Sequence, residues 1–331
     1  MKIVIVGPGA IGCLFAALLS RSKSDHEVWI LDKEPQRANR LNSSGIKVEG
    51  ISNFSTSASG GSQPKADQPR AGASGGKIKA TSSAGDIGKV DLVIIAVKSY
   101  DTESAVKSIS PLLTDETKVL TIQNGVGNLE IIKEVVGEDR ALGGVTSHGA
   151  TKVKEGCIMH AGSGDTIIGR LNGKIFGDLR SVANIFNQAK IKTKMSKDIK
   201  AVMWSKLVIN VGINALAAIT RLQNGQLIKS NEAKEILRQS VSEAVKVTKR
   251  KRIKLLYDDP LQKVESVCAA TSSNICSMLQ DIVRNRPTEI DSINGAISRH
   301  GRSLGVKTPV NDILSAIIKT IESTYHKQVR C

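Results

Sequence analysis

The chain begins with a β-branched strand and a glycine-rich turn, which together constrain its fold more than any other feature. Residues 3–6 are Ile-Val-Ile-Val, and Gly7-Pro8-Gly9-Ala10-Ile11-Gly12 follows as G-x-G-x-x-G before a helix through about Arg21. In such a turn the first glycine permits the tight bend, the second lets the backbone approach a pyrophosphate, and the third lets helix and strand pack closely. The helix N-terminus offers amide groups to phosphate charge. The pattern predicts a dinucleotide site at Gly7–Gly12, although a purely structural glycine turn would look the same.

A carboxylate at the end of the next strand strengthens this prediction. Glu27 to Asp32 is predicted to be a second buried strand, and Asp32 follows Gly12 by 20 residues. A carboxylate there can accept hydrogen bonds from the adenosine ribose. Asp32 by itself favours NADH because it would repel a 2′-phosphate, whereas Lys33 and Arg37 could neutralise that phosphate. The sequence therefore leaves both NADPH and NADH open as the cofactor.

Further apolar strands are predicted at 90–97 and 118–122. Strands that alternate with helices predict an α/β fold with a doubly wound, Rossmann-type parallel sheet. Lys98 and Asn124 each follow the C-terminal end of a strand, which is the edge where such sheets bind ligands. The alternatives are an ordinary lysine at a strand end and, for Asn124-Gly125, a simple turn dipeptide.

Two changes in composition divide the chain. Residues of about 52–77 are dominated by Ser, Gly and Ala with Pro64 and Pro69, which predicts a low-complexity surface insertion. After about residue 196 the pattern becomes helical, and we expect residues 1–196 to form the dinucleotide-binding domain and 197–331 a helical substrate domain. The active site is expected between the two domains. Helices are predicted at 200–219, 231–252, 259–283, 289–304 and about 311–323.

Composition excludes several other kinds of site. The five cysteines and five histidines lack the spacing of metal ligands, so catalysis is expected to be metal-free. The formal charge is +16, but only 3% of residues are aromatic, so stacking platforms for single-stranded nucleic acid are scarce. The basic run 246–254 is interpreted as a solvated helix end rather than a nucleic-acid patch. No partner other than a small-molecule substrate is predicted, and a homodimer stays open.

The longest apolar stretch, 207–219, is interrupted by polar residues and is shorter than the roughly 20 residues that a bilayer requires. No membrane span is therefore expected. The first residues enter a strand at once and lack the pattern of a secretory signal. The expected location is the cytoplasm.

A polar stripe lies on the helix that opens the second domain. Lys206, Asn210 and Asn214 recur every four residues and share one helix face. Their sequence neighbours are apolar, and buried amides need hydrogen-bond partners. The two asparagines therefore either satisfy nearby backbone or hold a polar ligand.

Two later segments complete the pattern of a known family. The segment 277–281 is Ser-Met-Leu-Gln-Asp, and 288–295 is Thr-Glu-Ile-Asp-Ser-Ile-Asn-Gly, in which Thr288 and Asp291 also resemble a helix capping box. Together with the stretches below, they resemble the ordered signature of ketopantoate reductases over nearly the whole chain. These stretches are Gly7–Gly12, Lys98, Gln123-Asn124-Gly125, Thr146-Ser147-His148-Gly149-Ala150, Lys206–Asn210 with Asn214, and Asn224-Gly225.

The resemblance implies an NAD(P)H-dependent 2-dehydropantoate 2-reductase of pantothenate and coenzyme A biosynthesis. It implies that Lys206 is the general acid at the C2 carbonyl. Ser277 would bind the substrate carboxylate, and Asn210 and Asn214 its distal hydroxyl, with Asn224 as a further contributor. Asn124 would contact cofactor and substrate, and Ala150 and Lys98 would belong to the cofactor site. Glu289 would orient both the cofactor and Lys206.

Two departures from the family and two rival functions remain. The departures are the insertion and Asp32, where many relatives carry a basic residue, so the resemblance leaves the preference for NADPH in doubt. One rival is a reductase of another small 2-keto acid on the same scaffold. The other is a dinucleotide-sensing module without catalysis, which the presence of both Lys206 and Glu289 argues against.

Overall fold

The computed structural model describes residues 1–22, 26–57 and 75–327. The chain divides into two compact units, one of Met1–Gln123 with Asn128–Ile199 and one of Asn124–Gly127 with Lys200–Cys331. The boundary expected after residue 196 therefore falls after Ile199. The loop Asn124–Gly127 belongs with the helical unit although the sequence placed it in the first domain. The architecture is the predicted one, an α/β sheet region followed by a helical region.

The first unit contains one mixed sheet whose central strands are parallel. The strand order among the described residues is β12-β11-β8-β7-β6-β1-β2-β5-β4-β3-β10-β9. The strands are β1 (Lys2–Val6), β2 (Glu27–Leu31), β3 (Lys47–Gly50), β4 (Phe54–Ser57), β5 (Gly75–Thr81), β6 (Leu92–Ile95), β7 (Lys118–Thr121), β8 (Ala141–Thr146), β9 (Gly149–Lys154), β10 (Cys157–Gly162), β11 (Thr166–Gly169) and β12 (Thr193–Ser196).

The parallel order follows from buried, β-branched strands. Residues 3–6 and 92–95 are fully buried, and β1 pairs in parallel with both β2 and β6. From β1 the chain fills the sheet first towards β2 and β5 and then, on the other side, through β6, β7 and β8. The order therefore reverses between β1 and β6, which is the position where open α/β sheets bind ligands. The outer pairs β8–β11 and β9–β10 are antiparallel.

The helices of the first unit complete its core. They are α1 (Ala10–Leu19), α2 (Pro35–Ser44), α3 (Thr102–Ser108), α4 (Asn128–Val136) and α5 (Gly177–Gln188). Residues 12–19 of α1 are all buried, and this helix packs against β1, β2, β5, β9 and β10. The apolar cluster of this unit is therefore centred on α1.

The predicted insertion 52–77 is wrong at both of its ends. Residues 54–57 form β4 and residues 75–77 belong to β5, so both enter the sheet. Phe54 and Thr56 are buried, and the Thr56 hydroxyl accepts a hydrogen bond of 2.8 Å from the Ile46 amide. Composition missed these strands because short strands at the end of a Ser-rich stretch carry few apolar residues. The remainder, 58–74, lies outside the described residues.

The second unit is helical. Its helices are α6 (Ile199–Thr220), α7 (Asn231–Arg250), α8 (Pro260–Ala270), α9 (Ser277–Val283), α10 (Asn294–Leu304) and α11 (Pro309–Ser323). The helix predicted over 259–283 is two helices, because the intervening segment turns back to accept hydrogen bonds from the Asn224 and Gly225 amides. The helix predicted from 289 begins at Asn294 after a 3-10 turn at Ile290–Ser292, so Thr288 and Asp291 form no cap of it.

Helix α6 is the described helix that is long and apolar enough to cross a membrane by length and composition. Of its most apolar stretch, 78% is buried inside the protein. Its apolar residues belong to the core cluster of the second unit, together with residues of α7, α8, α9 and α10. This is the packing of a core helix.

The corrected strand limits predict which part of the Ser-rich stretch the fold needs. Replacing residues 58–74 by a short Gly-Ser linker should leave the thermal unfolding midpoint nearly unchanged, because changes in loop length carry small entropic effects. Deleting 52–77 should lower it strongly, because loss of a buried phenylalanine alone costs about 3–5 kcal/mol. Circular dichroism melts of both variants test this. Strong destabilisation of the linker variant would contradict it and give residues 58–74 a structural role.

Candidate active site

The glycine turn lies at the reversal point of the sheet, and each glycine has a physical reason to be there. Gly7 has φ +96°, and a Cβ on it would lie 2.6 Å from Val97 Cγ1. A Cβ on Gly12 would lie 2.1 Å from the Gly7 carbonyl oxygen, so only glycine allows α1 to approach β1 this closely. A Cβ on Gly9 would meet only the Ala96 carbonyl oxygen, at 3.9 Å. Gly9 therefore faces open space just before α1 begins.

Asp32 has a protein partner that the sequence did not show. Its carboxylate is buried, with the residue 2% exposed, and Arg37 donates to both of its oxygens. The Glu34 amide donates to the same carboxylate, and the Glu34 side chain accepts from Arg37 at 3.1 Å. The hydrogen bonds that Arg37 donates to Asp32 raise the pKa of Arg37. Asp32 is therefore the anchor of Arg37, whose charge two carboxylates offset.

The Gln123 side chain connects the ends of β6 and β7, which are the strands that precede Lys98 and Asn124. Its amide nitrogen donates to the Val97 carbonyl and to the Thr102 hydroxyl, both at 2.8 Å. Its amide oxygen accepts from the Thr121 hydroxyl at 2.9 Å. Lys98 itself precedes the 3-10 turn Ser99–Asp101. Gln123 had no predicted role, although its place directly before Asn124 at a strand end was the available signal.

Ala150 lies in the β9–β10 hairpin of the first unit, where it pairs with His160 and packs against the core. Beside it, His148 Nδ1 lies 3.0 Å from His160 Nε2, and both rings are buried. Burial lowers the pKa of both histidines. Two neutral imidazoles therefore share a hydrogen bond next to Ala150.

Lys206 is the charged residue of the polar stripe on α6. Burial lowers its pKa and the negative charge of Glu289 raises it in part, so that the pKa of Lys206 is about 8. Asn210 is half-buried and Asn214 is buried, with 5% of the residue exposed. The structure thus keeps the three side chains on one helix face as predicted, with a carboxylate close enough to act on the amine.

Cys276 connects this stripe to Ser277. The Cys276 thiol lies 3.6 Å from the Asn214 carbonyl oxygen, to which it donates, and its sulfur accepts from the Leu279 amide at 3.4 Å. It thereby caps α9, whose first residue is the exposed Ser277. Cys276, which had no predicted function, therefore links the backbone at Asn214 to the start of α9 at Ser277.

The side-chain oxygen of Asn224 accepts no hydrogen bond within the described residues. The residue is 7% exposed, and its Nδ2 donates to the Thr271 hydroxyl at 2.9 Å. Its Oδ1 is buried and has no hydrogen-bond partner within the described part of the chain. Buried polar atoms are normally paired, so this oxygen is a natural acceptor for a ligand hydroxyl or a water.

The loop that carries Asn124 packs against the segment that follows Glu289. Gly125 has φ +81°, and a Cβ on it would lie 2.5 Å from the Ser292 carbonyl oxygen. The Val126 amide donates to that oxygen at 3.2 Å, and the Ser292 amide donates to the Glu289 carbonyl at 3.0 Å. Asn124 and Glu289 are therefore held in the same unit as Lys206. No cluster of potential metal ligands occurs among the described residues.

Sequence comparison then decides the family. The family model described as "Ketopantoate reductase PanE/ApbA" matches residues 3–173, and its C-terminal counterpart matches residues 198–322. The chain belongs to the ketopantoate reductase family. The resemblance expected from the sequence motifs is thereby confirmed.

Individual relatives agree over their whole length. A 2-dehydropantoate 2-reductase of Halobacterium salinarum is 30% identical over 322 residues, which is 96% of this chain and 98% of the relative. The crystal structure of a PanE/ApbA family ketopantoate reductase from Ralstonia eutropha JMP134 is 28% identical with a TM-score of 0.85, and covers 98% and 100% of the two chains. A D-mandelate dehydrogenase in ternary complex with NADH and anilino(oxo)acetate is 26% identical with a TM-score of 0.84, and covers 99% and 100%.

Proposed function

We propose that this ketopantoate reductase family member reduces 2-dehydropantoate to pantoate with NADPH or NADH, in pantothenate and coenzyme A biosynthesis. The observation that carries the proposal is Lys206, a buried amine whose pKa is lowered to about 8 beside the charge of Glu289. An amine with such a pKa is protonated at neutral pH and can still release its proton to a substrate. Family membership over the full chain supports the same reaction.

The glycine turn fits a dinucleotide. Gly9 leaves open space where a pyrophosphate would approach, and no side chain caps the start of α1. We assign Gly7–Gly12, Asp32 with Arg37, Lys98, Asn124, Ala150 and Glu289 to cofactor binding. When bound, the nicotinamide supplies the hydride.

Lys206 would act as general acid. Its ammonium would hydrogen-bond the C2 carbonyl oxygen and stabilise the negative charge that develops there. As hydride adds to C2, the Nζ–H bond would break and the proton would pass to the oxygen, which gives the hydroxyl of the product. The neutral amine would then regain a proton from solvent. Glu289 would favour this reprotonation through its charge.

The remaining polar groups would select the substrate. We assign Ser277 to the substrate carboxylate and Asn210 and Asn214 to its distal hydroxyl. The unpaired Oδ1 of Asn224 would accept from the same hydroxyl. Asn124 would touch both cofactor and substrate. The cytoplasmic location of the protein and its homodimeric state remain predictions.

A second candidate is the reduction of an aryl 2-keto acid, because the D-mandelate dehydrogenase and the ketopantoate reductase superpose on this chain with nearly the same TM-score. The asparagines decide between them, since an aryl group offers no hydroxyl to Asn210 and Asn214. Oxidation of the reduced cofactor at 340 nm with 2-dehydropantoate and with benzoylformate separates the two. A higher kcat/KM for benzoylformate would overturn our assignment, and turnover of neither would favour a sensing module.

Lys206→Ala should lower kcat by about 10²-fold or more, because a general acid typically contributes 10² to 10⁴. Affinity for the reduced cofactor, measured by fluorescence titration, should change little. Lys229→Ala, an exposed lysine of the same unit, serves as the control and should keep full turnover. Wild-type turnover in the Lys206 variant would remove this residue from the mechanism.

The pH dependence of kcat/KM should follow the protonation of Lys206. Activity needs the protonated amine, so the rate should fall as pH rises through about 8. Glu289→Gln should move this alkaline limb to lower pH, because it removes the charge that raises the Lys206 pKa. Glu235→Gln, which loses an exposed pair with Arg238, should leave the limb in place. A limb that stays at the same pH in the Glu289 variant would argue against electrostatic contact with Lys206.

Cofactor preference should depend on the Asp32–Arg37 pair. The wild type should accept both cofactors, and Asp32→Ser should raise the ratio of kcat/KM for NADPH over NADH by about tenfold or more. The reason is that the freed Arg37 can bond a 2′-phosphate, and a hydrogen bond to a charged group contributes about 1.5–3 kcal/mol. The double variant Asp32→Ser/Arg37→Ala should lose this gain. An unchanged ratio in the single variant would place the pair away from the ribose.

A further inference from the structure

The imidazole of His300 lies between an indole ring and an ammonium group in the second unit. His300 is on α10, and its ring centroid lies 5.2 Å from that of Trp204 on α6. Lys251, the C-terminal cap of α7, places its Nζ 3.3 Å from His300 Nδ1 and 5.5 Å from the Trp204 ring. Three helices therefore meet around this ring.

The charges around His300 are all positive. Burial, and after it the charges of Lys251, Arg299 and Lys200 in that order, together lower the pKa of His300 to about 4. No carboxylate contributes. Within the described residues Lys200 and Arg299 form no ion pair, and the same holds for Lys249, Arg250 and Arg252 at the end of α7. Lys251 at the end of α7 acts on His300 together with Arg299 of α10 and Lys200 of α6, so three cations act on one partly buried ring.

The hydrogen bonding of the ring makes it a donor. An ammonium has no acceptor, so Lys251 must donate to Nδ1, and the neutral ring then carries its hydrogen on Nε2. His300 Nε2 has no hydrogen-bond partner in the described ranges and is not enclosed. The cluster therefore presents N–H donors and positive charge, and the mutual repulsion of its cations would be relieved by an anion.

We propose that His300, Lys251, Arg299 and Lys200 form a binding site for a phosphate group, carried either by inorganic phosphate or pyrophosphate or by a small metabolite. A phosphate offers several acceptor oxygens and a charge that matches such a set of donors. Trp204 and Lys206 are two residues apart and point to roughly opposite faces of α6. The site is therefore separate from the polar stripe of Lys206, Asn210 and Asn214.

A small anion suits the cluster better than a nucleic acid. Single-stranded nucleic acid binds through aromatic rings on which bases stack. Trp204 is only 3% exposed and is covered by His300 and Lys251, so its ring is closed to a base. The test must therefore distinguish binding of a small phosphate from binding of a nucleic acid.

The test is an NMR titration of the His300 ring, with its signal assigned through His300→Gln. At constant ionic strength, inorganic phosphate and pyrophosphate should each raise the His300 pKa by about one unit or more, because a bound anion favours the imidazolium. Sodium chloride at the same ionic strength should leave it nearly unchanged. Lys251→Ala and Arg299→Gln should each weaken pyrophosphate binding about tenfold. The control Lys229→Ala removes an exposed lysine of the same unit and should bind as the wild type does.

Three results would overturn the proposal. One is an equal pKa change in chloride and in phosphate, and another is an equal loss of binding in Lys229→Ala and Lys251→Ala. The third is binding of a single-stranded oligonucleotide that Lys251→Ala abolishes, without any binding of phosphate or pyrophosphate. Because Arg299 is exposed, its variant keeps the test valid if loss of Lys251 disturbs the packing on Trp204.

Discussion

The helical unit depends on holding one amine in a low-dielectric surrounding next to one carboxylate. Desolvation disfavours the charged form of Lys206, and the charge of Glu289 restores part of it, so that the pKa settles near 8. Neither group could be buried alone without a large penalty. The segment that holds Glu289 is in turn fixed by the loop of Gly125 and Val126 through the Ser292 carbonyl. The chemistry of the lysine is therefore a property of the packing around it.

The polar stripe on α6 shows how an apolar core helix can carry a polar face. Most of α6 is buried among α7 to α10, yet it presents Lys206, Asn210 and Asn214. The Cys276 thiol donates to the Asn214 backbone carbonyl and thereby links α6 to the start of α9. An orphan acceptor remains on Asn224. Unpaired groups of this kind are expected where a ligand completes the hydrogen bonding.

In the first unit, close backbone approach and charge compensation shape the region of the glycine turn and of Asp32. Gly12 lets α1 sit against the Gly7 carbonyl, and Gly9 keeps the approach to the helix N-terminus open. The basic side chain at the end of β2 is that of Arg37, which lies on α2 and donates hydrogen bonds to Asp32. In the proposed cofactor site, this pair would combine a charge that rejects a 2′-phosphate with one that attracts it. The preference between the cofactors would then depend on how strongly Asp32 retains Arg37.

The sequence by itself determined the elements whose signal is local. Three features follow from short-range patterns: the G-x-G-x-x-G turn between a buried strand and a helix, the parallel core of the sheet, and the four-residue spacing of Lys206, Asn210 and Asn214. The same holds for most limits of the helices predicted in the second unit. The family follows from the ordered motifs. Polar contacts between distant residues carry no local pattern, and only the tertiary structure decided them. The sequence therefore predicted Asp32 as a ribose ligand, whereas in the structure its carboxylate accepts hydrogen bonds from Arg37. The sequence also placed Asn124 in the first domain, whereas its loop packs against Ser292 in the second unit. Strands β4 and β5 were likewise not predicted, because β4 pairs in parallel with β5 across the Ser-rich stretch, as in the pairing of Thr56 with Gly75.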